Sequence, residues 1–224
     1  MRTAPDRVPL RRMKIVLFGA TGMVGSRIAA EAVSRGHRVT AVSRSGGSPV
    51  PGLVAAAADC SDPVKVGELA TGQDAVASAL VPPRDGSDPQ VPFLALNESL
   101  VAGVRRSGTS RLVVVGGAGS LEVAPGEALV DQPAFPDAFR GEALAHRDLL
   151  AYLRREADDL DWTYVSPGAE LGPGERTGTF RIGGDELLTD EFGNSRVSAE
   201  DFAIAFVDEL ESGAHPRSRI SVAY

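Results

Sequence analysis

The sequence predicts an α/β fold: a doubly wound, mostly parallel sheet covered by helices on both faces, with a small C-terminal lobe. Three observations carry this. Short apolar, β-branched runs alternate with helix-length segments from residue 13 to residue 166. A glycine-rich turn joins the first run directly to the first helical segment. After residue 166 the alternation gives way to Gly-rich, turn-rich sequence that closes on one helix and one strand.

The elements follow in order. Residues 1–12 hold several arginines and two prolines without an apolar run, and read as a flexible extension rather than a secretion signal. Lys14-Ile15-Val16-Leu17-Phe18 is a buried strand ended by Gly19. A helix over 23–35 places Val24, Ile28, Ala32 and Val33 on one side, with Gly36 at its C-cap. Residues 38–43 form a second strand and 53–58 a weak third. Asp62-Pro63 opens a helix to about residue 70, Pro63 suiting its first turn. A fourth strand over 74–80 is broken by Pro82-Pro83, a helix spans 92–107, and Arg111-Leu112-Val113-Val114-Val115 is the fifth strand. A helix over 137–157 leads to the sixth, Trp162-Thr163-Tyr164-Val165. Strand-like pieces at 179–182 and 186–189 follow, then a helix that Ser198 caps and that buries Phe202, Ala205, Phe206 and Leu210, then a strand over 219–223. Phe180 and Phe192 are expected mostly in the core, or lining a pocket. No repeat or second domain interrupts residues 13–224; the lobe occupies about 167–224.

Composition narrows the function classes. Hydrophobic residues make up 43% of the 224 and charged residues 24%, enough for a sizeable core. No window approaches the ~20 apolar residues of a membrane helix. The net charge of −7 argues against a dedicated nucleic-acid binder while leaving room for a local basic patch. A single cysteine, Cys60, forms no internal disulfide and fits a reducing, cytoplasmic setting. Three scattered histidines and that cysteine make no metal cluster. The expected partner is a small molecule, with the chain a monomer or homodimer.

The strongest local signal is Gly19-Ala20-Thr21-Gly22-Met23-Val24-Gly25 between the first strand and first helix. A backbone that turns sharply and approaches a diphosphate carries no bulky side chains, and the helix N-terminus offers free N–H groups to the phosphates. The alternative is a tight turn that needs glycine only for packing. With its flanking elements the motif reads as dinucleotide binding in a Rossmann-type sheet.

At these residues, together with Ser43-Arg44 and Asp59 at the next two strand ends, the chain resembles the atypical short-chain dehydrogenase/reductases, which bind NAD(P)H. Leu160-Asp161-Trp162-Thr163-Tyr164-Val165-Ser166-Pro167-Gly168, Thr179-Phe180-Arg181-Ile182-Gly183 and Ser198-Ala199-Glu200-Asp201-Phe202-Ala203 narrow the resemblance to proteins like NADH-flavin reductases and biliverdin/flavin reductases. It covers residues 13–224. It implies that Asp59-Cys60 lies at the adenine end of the cofactor, that Ala79-Leu80-Val81 passes along the ribose, and that Gly116-Gly117-Ala118 lies near the nicotinamide. For Asp59 a simple helix-entry carboxylate is an equal alternative.

Cofactor choice can be argued physically. An acidic residue about 20 positions past the glycines takes the ribose hydroxyls in NAD-specific folds. Here Val42-Ser43-Arg44-Ser45 stands in that place, and an arginine suits a 2′-phosphate. NADP(H) is therefore expected over NAD(H), with a solvated loop arginine as the alternative.

The Tyr-x-x-x-Lys pair of the family's catalytic branch is missing. The only lysines, Lys14 and Lys65, have Leu10 and Ser61 four residues before them. In its place Glu142 and His146 share a helix face, and an unperturbed His146 could shuttle a proton at neutral pH. Ser120 could donate to a substrate carbonyl. The plainer alternatives are a solvated or capping histidine and a serine that begins a turn. Three functions remain: a reductase of a flat conjugated acceptor (flavin, bilin or quinone-like), a non-catalytic NADP(H) sensor, and a nucleotide-sugar epimerase or dehydratase. The last is disfavoured because such enzymes usually depend on the missing pair.

Overall fold

The computed structural model describes residues 11–47 and 50–224. The first half contains β1 (Lys14–Phe18), α1 (Met23–Ser34), β2 (Arg38–Ser43), β3 (Val54–Ala57), α2 (Pro63–Ala70), β4 (Ala75–Ser78) and α3 (Gln90–Ser107). The second half contains β5 (Arg111–Val115), β6 (Glu122–Ala124), β7 (Glu127–Ala128), α4 (Asp137–Glu156), β8 (Asp161–Pro167), β9 (Glu170–Gly172), β10 (Arg181–Gly183), β11 (Arg196–Ser198), α5 (Ala199–Ser212) and β12 (Ser218–Ala223).

Eight strands form one sheet in the order β10-β12-β8-β5-β4-β1-β2-β3, parallel throughout except where β10 meets β12. The chain winds outward from β1 to β3, crosses back to β4, and winds the other way. This reversal leaves a crevice between the carboxyl ends of β1 and β4, where open α/β sheets take ligands. Local chemistry sets the boundaries. The Asp62 carboxylate accepts from the Val64 and Lys65 amides at the start of α2. Ser198 caps α5 by accepting from the Asp201 amide, and Gly108 ends α3 in the left-handed region.

Because the strands are buried on both faces, alternate side chains feed two cores. Ile15, Leu17, Ala77, Val113 and Val165 pack with Phe202 and Phe206 of α5 on one face. Val16, Phe18, Val76, Leu112, Val114 and Trp162 pack with Phe93 and Leu100 of α3 and Leu149 and Leu153 of α4 on the other.

Departures from the sequence reading cluster in the smallest elements. Residues 186–189 form no strand: Glu186 makes one isolated bridge to Glu122, and the Leu187 amide donates to the Glu122 carbonyl. This segment folds back over the loop after β5, while β10 already supplies the last strand. The β6–β7 hairpin and the β9–β11 pair were not expected, since strands of two or three residues carry no readable period. Phe180 packs against the core, whereas Phe192 is 80% exposed. Of the N-terminal extension, residues 1–10 lie outside the described residues; Arg11 is tied to Asp74 and Arg12 to the Gly36 carbonyl.

One buried carboxylate ties α5 to the lower end of the sheet. Glu209 accepts from Arg111 at 2.7 Å and pairs with His215 Nδ1 at 2.6 Å. Burial pushes its pKa up, but the His215 hydrogen bonds and the Arg111 charge outweigh this and hold it below the usual glutamate value. A depressed folded pKa contributes stability above the ordinary value of about 4.3, and that contribution is lost as pH falls through the folded value. Glu209→Ala should therefore cost about 3 kcal/mol at neutral pH by leaving Arg111 unpaired. In denaturant titrations, its gap to the wild type should narrow below about pH 4; a gap constant with pH would contradict this assignment.

Candidate functional site

Three backbone segments meet at the crevice. Gly19 leaves β1 with φ 78°, and a Cβ there would stand 2.4 Å from the Ala79 carbonyl oxygen beyond β4. A Cβ on Gly25 would stand 2.1 Å from the Gly19 oxygen, so α1 also packs backbone against the turn. Gly22 differs. Its φ is −70°, and an added Cβ would meet only the Gly19 oxygen, at 3.5 Å. Nothing within the fold forbids a side chain at Gly22; its bareness keeps the approach to α1 open.

Gly22 is the N-cap of α1 but supplies no side-chain bond, and the first helical bond runs from the Ser26 amide to the Gly22 carbonyl. The Met23, Val24 and Gly25 amides therefore have no acceptor among the described residues, and they carry the positive end of the helix dipole. Thr21, Gly22 and Met23 are exposed, and Ala20 is buried beneath them.

The neighbouring strand ends form the rim. Ser43 closes β2: its carbonyl accepts from the Gly46 and Ala58 amides and its hydroxyl from the Gly47 amide. The resulting turn holds Arg44 exposed, in no ion pair with a described residue. Asp59 stands beyond β3, where the Ser61 amide, then the Ser61 hydroxyl and more weakly the Arg44 charge, hold its carboxyl below the usual range. Cys60 turns inward: burial and the Asp59 charge push its thiol up to about 12, and it belongs to the apolar core. It presents no thiolate to the cleft.

Beyond β4, Ala79 is buried, Leu80 half-buried and Val81 55% exposed, so this segment climbs from core to surface along the crevice. The loop after β5 is braced from below. The Gly116 amide donates to the Val165 carbonyl, and a Cβ on Gly116 would stand 2.1 Å from the Tyr164 ring. The Gly117 amide donates to the Tyr164 hydroxyl at 3.1 Å, and Ser166 donates to the Gly117 carbonyl at 2.9 Å. Ala118 follows, half-buried, its carbonyl accepting from Leu121.

His146 sits behind this loop. It is buried, its ring centroid is 4.8 Å from that of Phe93, and its carbonyl accepts from the Tyr164 hydroxyl at 2.9 Å. Burial lowers its pKa to about 4, with Glu142 opposing weakly. This corrects the expectation of an unperturbed ring: desolvation keeps the imidazole neutral at pH 7. Glu142, four residues earlier, reaches instead to Arg84 at 2.8 Å. Burial also holds the Tyr164 phenol well above its ordinary pKa, so it stays protonated and works as a strut. The Ser120 hydroxyl is half-buried and accepts from buried Arg219 at 2.9 Å, which also donates to Asp185. Sequence reasoning missed both the Tyr164 brace and the Arg219–Ser120 bond. The alternation at 219–222 placed Arg219 and Ser221 on one strand face, but nothing local named partners 34 and 99 residues away. Among the described residues no side-chain group could hold a metal ion, and no helix is long and apolar enough to cross a membrane.

The structure thus brings the glycine turn, the Ser43-Arg44 and Asp59 rim, residues 79–81 and residues 116–118 to the carboxyl edge of one sheet. A family of NAD(P)H-binding proteins matches this chain over residues 19–212. A Burkholderia pseudomallei structure, provisionally described as an exported protein, shares 54% identity at a TM-score of 0.86, covering 95% of this chain and 100% of that one. One from Bacteroides thetaiotaomicron, provisionally assigned as an epimerase, is 37% identical at a TM-score of 0.86 over 96% and 98%. Another from Streptococcus pneumoniae, provisionally assigned as an NADH-flavin reductase, is 36% identical at a TM-score of 0.79 over 94% and 99%.

The glycines separate by role in a way thermal melts can read. Gly22→Ala should melt within about 0.5 kcal/mol of the wild type, as an unobstructed site allows. Gly25→Ala must push a methyl into the Gly19 carbonyl and should lose about 3 kcal/mol. Equal losses in the two variants would mean that Gly22 also serves packing.

Proposed function

The chain belongs to the NAD(P)H-binding family, and from that premise we propose that it is an NADPH-preferring oxidoreductase that reduces a flat, conjugated acceptor such as a flavin, bilin or quinone. The observation that carries the reading is the N-terminus of α1. Three amides there lack acceptors among the described residues, and Gly22 leaves the approach bare although a Cβ there would meet no obstruction. Free N–H groups at a helix start fit a diphosphate. Arg44, in no ion pair with a described residue at the end of the adjacent strand, fits the 2′-phosphate of NADPH, while Asp59 and residues 79–81 border the adenosine half.

Bound in this crevice, the reduced nicotinamide supplies a hydride to the acceptor. The chain's own task is placement. Tyr164 and Ser166 hold both polar groups of Gly117, so the loop offers a fixed, small-residue backbone wall. Neutral His146 backs this wall and excludes water beneath it. Ser120 takes a donor from Arg219 onto its oxygen, which leaves the hydroxyl proton free to point outward. Solvent completes the reduction, because with the Tyr-x-x-x-Lys pair missing and the Tyr164 phenol spent on a backbone carbonyl the chain shows no obvious acid. The same observation favours a second reading, a nucleotide sensor that binds without turnover. Nucleotide-sugar epimerisation fits less well, since it calls on the absent pair. The single cysteine supports a cytoplasmic setting.

An NADPH-oxidation panel with flavins, bilins and quinones should show turnover above the uncatalysed rate with at least one acceptor. Gly22→Val should abolish both turnover and NADPH fluorescence enhancement without lowering the melting temperature. Tight NADPH binding with no turnover across the panel would select the sensor. No nucleotide binding would dismiss both.

Arg44→Ala should weaken NADPH by roughly 10- to 150-fold, the worth of a charge-assisted hydrogen bond, and leave NADH nearly unchanged. Equal weakening of the two nucleotides would remove Arg44 from the 2′-phosphate.

A further inference from the structure

The amino end of the sheet, opposite the crevice, holds a concentration of positive charge that the dinucleotide reading does not use. Lys14 opens β1 and Arg38 opens β2, and the two are register partners on adjacent parallel strands. Side chains at paired positions leave the same face of a sheet, about 5 Å apart at their bases. Like charges in that relation repel. Both residues are exposed, and neither charged group meets an acceptor among the described residues. Arg12 stands beside them, its Nε donating to the Gly36 carbonyl and its two terminal nitrogens unspent.

These three cations border a hollow of about 450 Å³, which Thr40 and Gln73 also line. The nearby carboxylates are committed elsewhere. Asp74 accepts from Arg11 and from the Lys14 backbone amide. Glu211 is held by Arg35 and by His37, whose Nδ1 accepts from the Met13 amide and so leaves the proton on Nε2 for Glu211. Nor does the adjoining sequence offer a surplus of acid: residues 1–10 contain Arg2 and Arg7 against Asp6. The chain carries a net charge of −7, yet among the described residues no carboxylate is placed on this pair.

We propose that the hollow is a second ligand site, one that takes the phosphate or diphosphate group of a small molecule. A single carboxylate would neutralise only one cation. A phosphate brings two charges and three acceptor oxygens to a hollow lined by three cations, and an arginine meets it with paired hydrogen bonds. The volume falls in the range of small-molecule sites. The five residues of β1 separate Lys14 from Gly19 by about 17 Å, so one phosphate group does not bridge the two sites. The proposal stands whether or not the crevice binds NADPH.

Calorimetric titration with inorganic pyrophosphate at fixed ionic strength tests it. The full-length protein and the double variant Lys14→Gln/Arg38→Gln share the glycine turn, so the difference between them isolates the hollow. The double variant should lose a binding event, or weaken it at least about tenfold, with NADPH affinity unchanged. The charge-preserving pair Lys14→Arg/Arg38→Lys should keep pyrophosphate binding. Without pyrophosphate at low salt, the double variant should melt no lower than the wild type, because its repulsion has been removed. Identical pyrophosphate isotherms for wild type and double variant would overturn the site. So would binding that sodium chloride at matched ionic strength reproduces, which would reduce it to diffuse screening.

Discussion

The architecture turns on one contact: the backbone of Gly19 lying against the Ala79 carbonyl, with Gly25 closing on Gly19 from the other side. These approaches are shorter than any side chain permits. They bring the carboxyl ends of β1 and β4 together with the start of α1 at the point where the winding reverses. Once they are in place, the orphan amides of α1 face the crevice by geometry alone. Gly22 is released from this constraint, since a Cβ there would meet only the Gly19 oxygen at ordinary contact distance.

A second layer of order comes from β8. Tyr164 and Ser166 reach up from buried strand positions and satisfy both polar groups of Gly117, while the Tyr164 hydroxyl donates a hydrogen bond to the His146 carbonyl. A buried polar network of this sort rigidifies what it touches because each unmet group would cost free energy. It also reassigns the titratable residues. The groups that look like acids and bases in the sequence are used to hold a loop, and burial moves their pKa values away from neutrality.

Much of this was legible in the chain. The glycine turn announced itself because its strand and helix flank it directly, and the spacing of apolar residues gave α1 and α5. What stayed hidden depended on distance. Burial of His146 under Phe93 requires α3 and α4 to be packed together, and helix-face spacing alone paired it with Glu142, which instead meets Arg84. Cys60 follows Asp59 along the chain but turns into the core, as a small apolar side chain does. The small strands β9 and β11 are fixed by each other across a long stretch of sequence, with the Gly168 backbone pressed against Arg196, and the β6–β7 hairpin is too short to carry a readable period.

Hydrogen exchange with and without NADPH tests the central claim, that the nicotinamide dinucleotide lies on the α1 N-terminus in the β1–β4 crevice. The Met23, Val24 and Gly25 amides have no acceptor among the described residues, so a ligand that takes them protects them directly. Protection concentrated at residues 21–25, with a smaller increase across 116–118, is the predicted result. Protection absent there and confined to other segments would contradict the account.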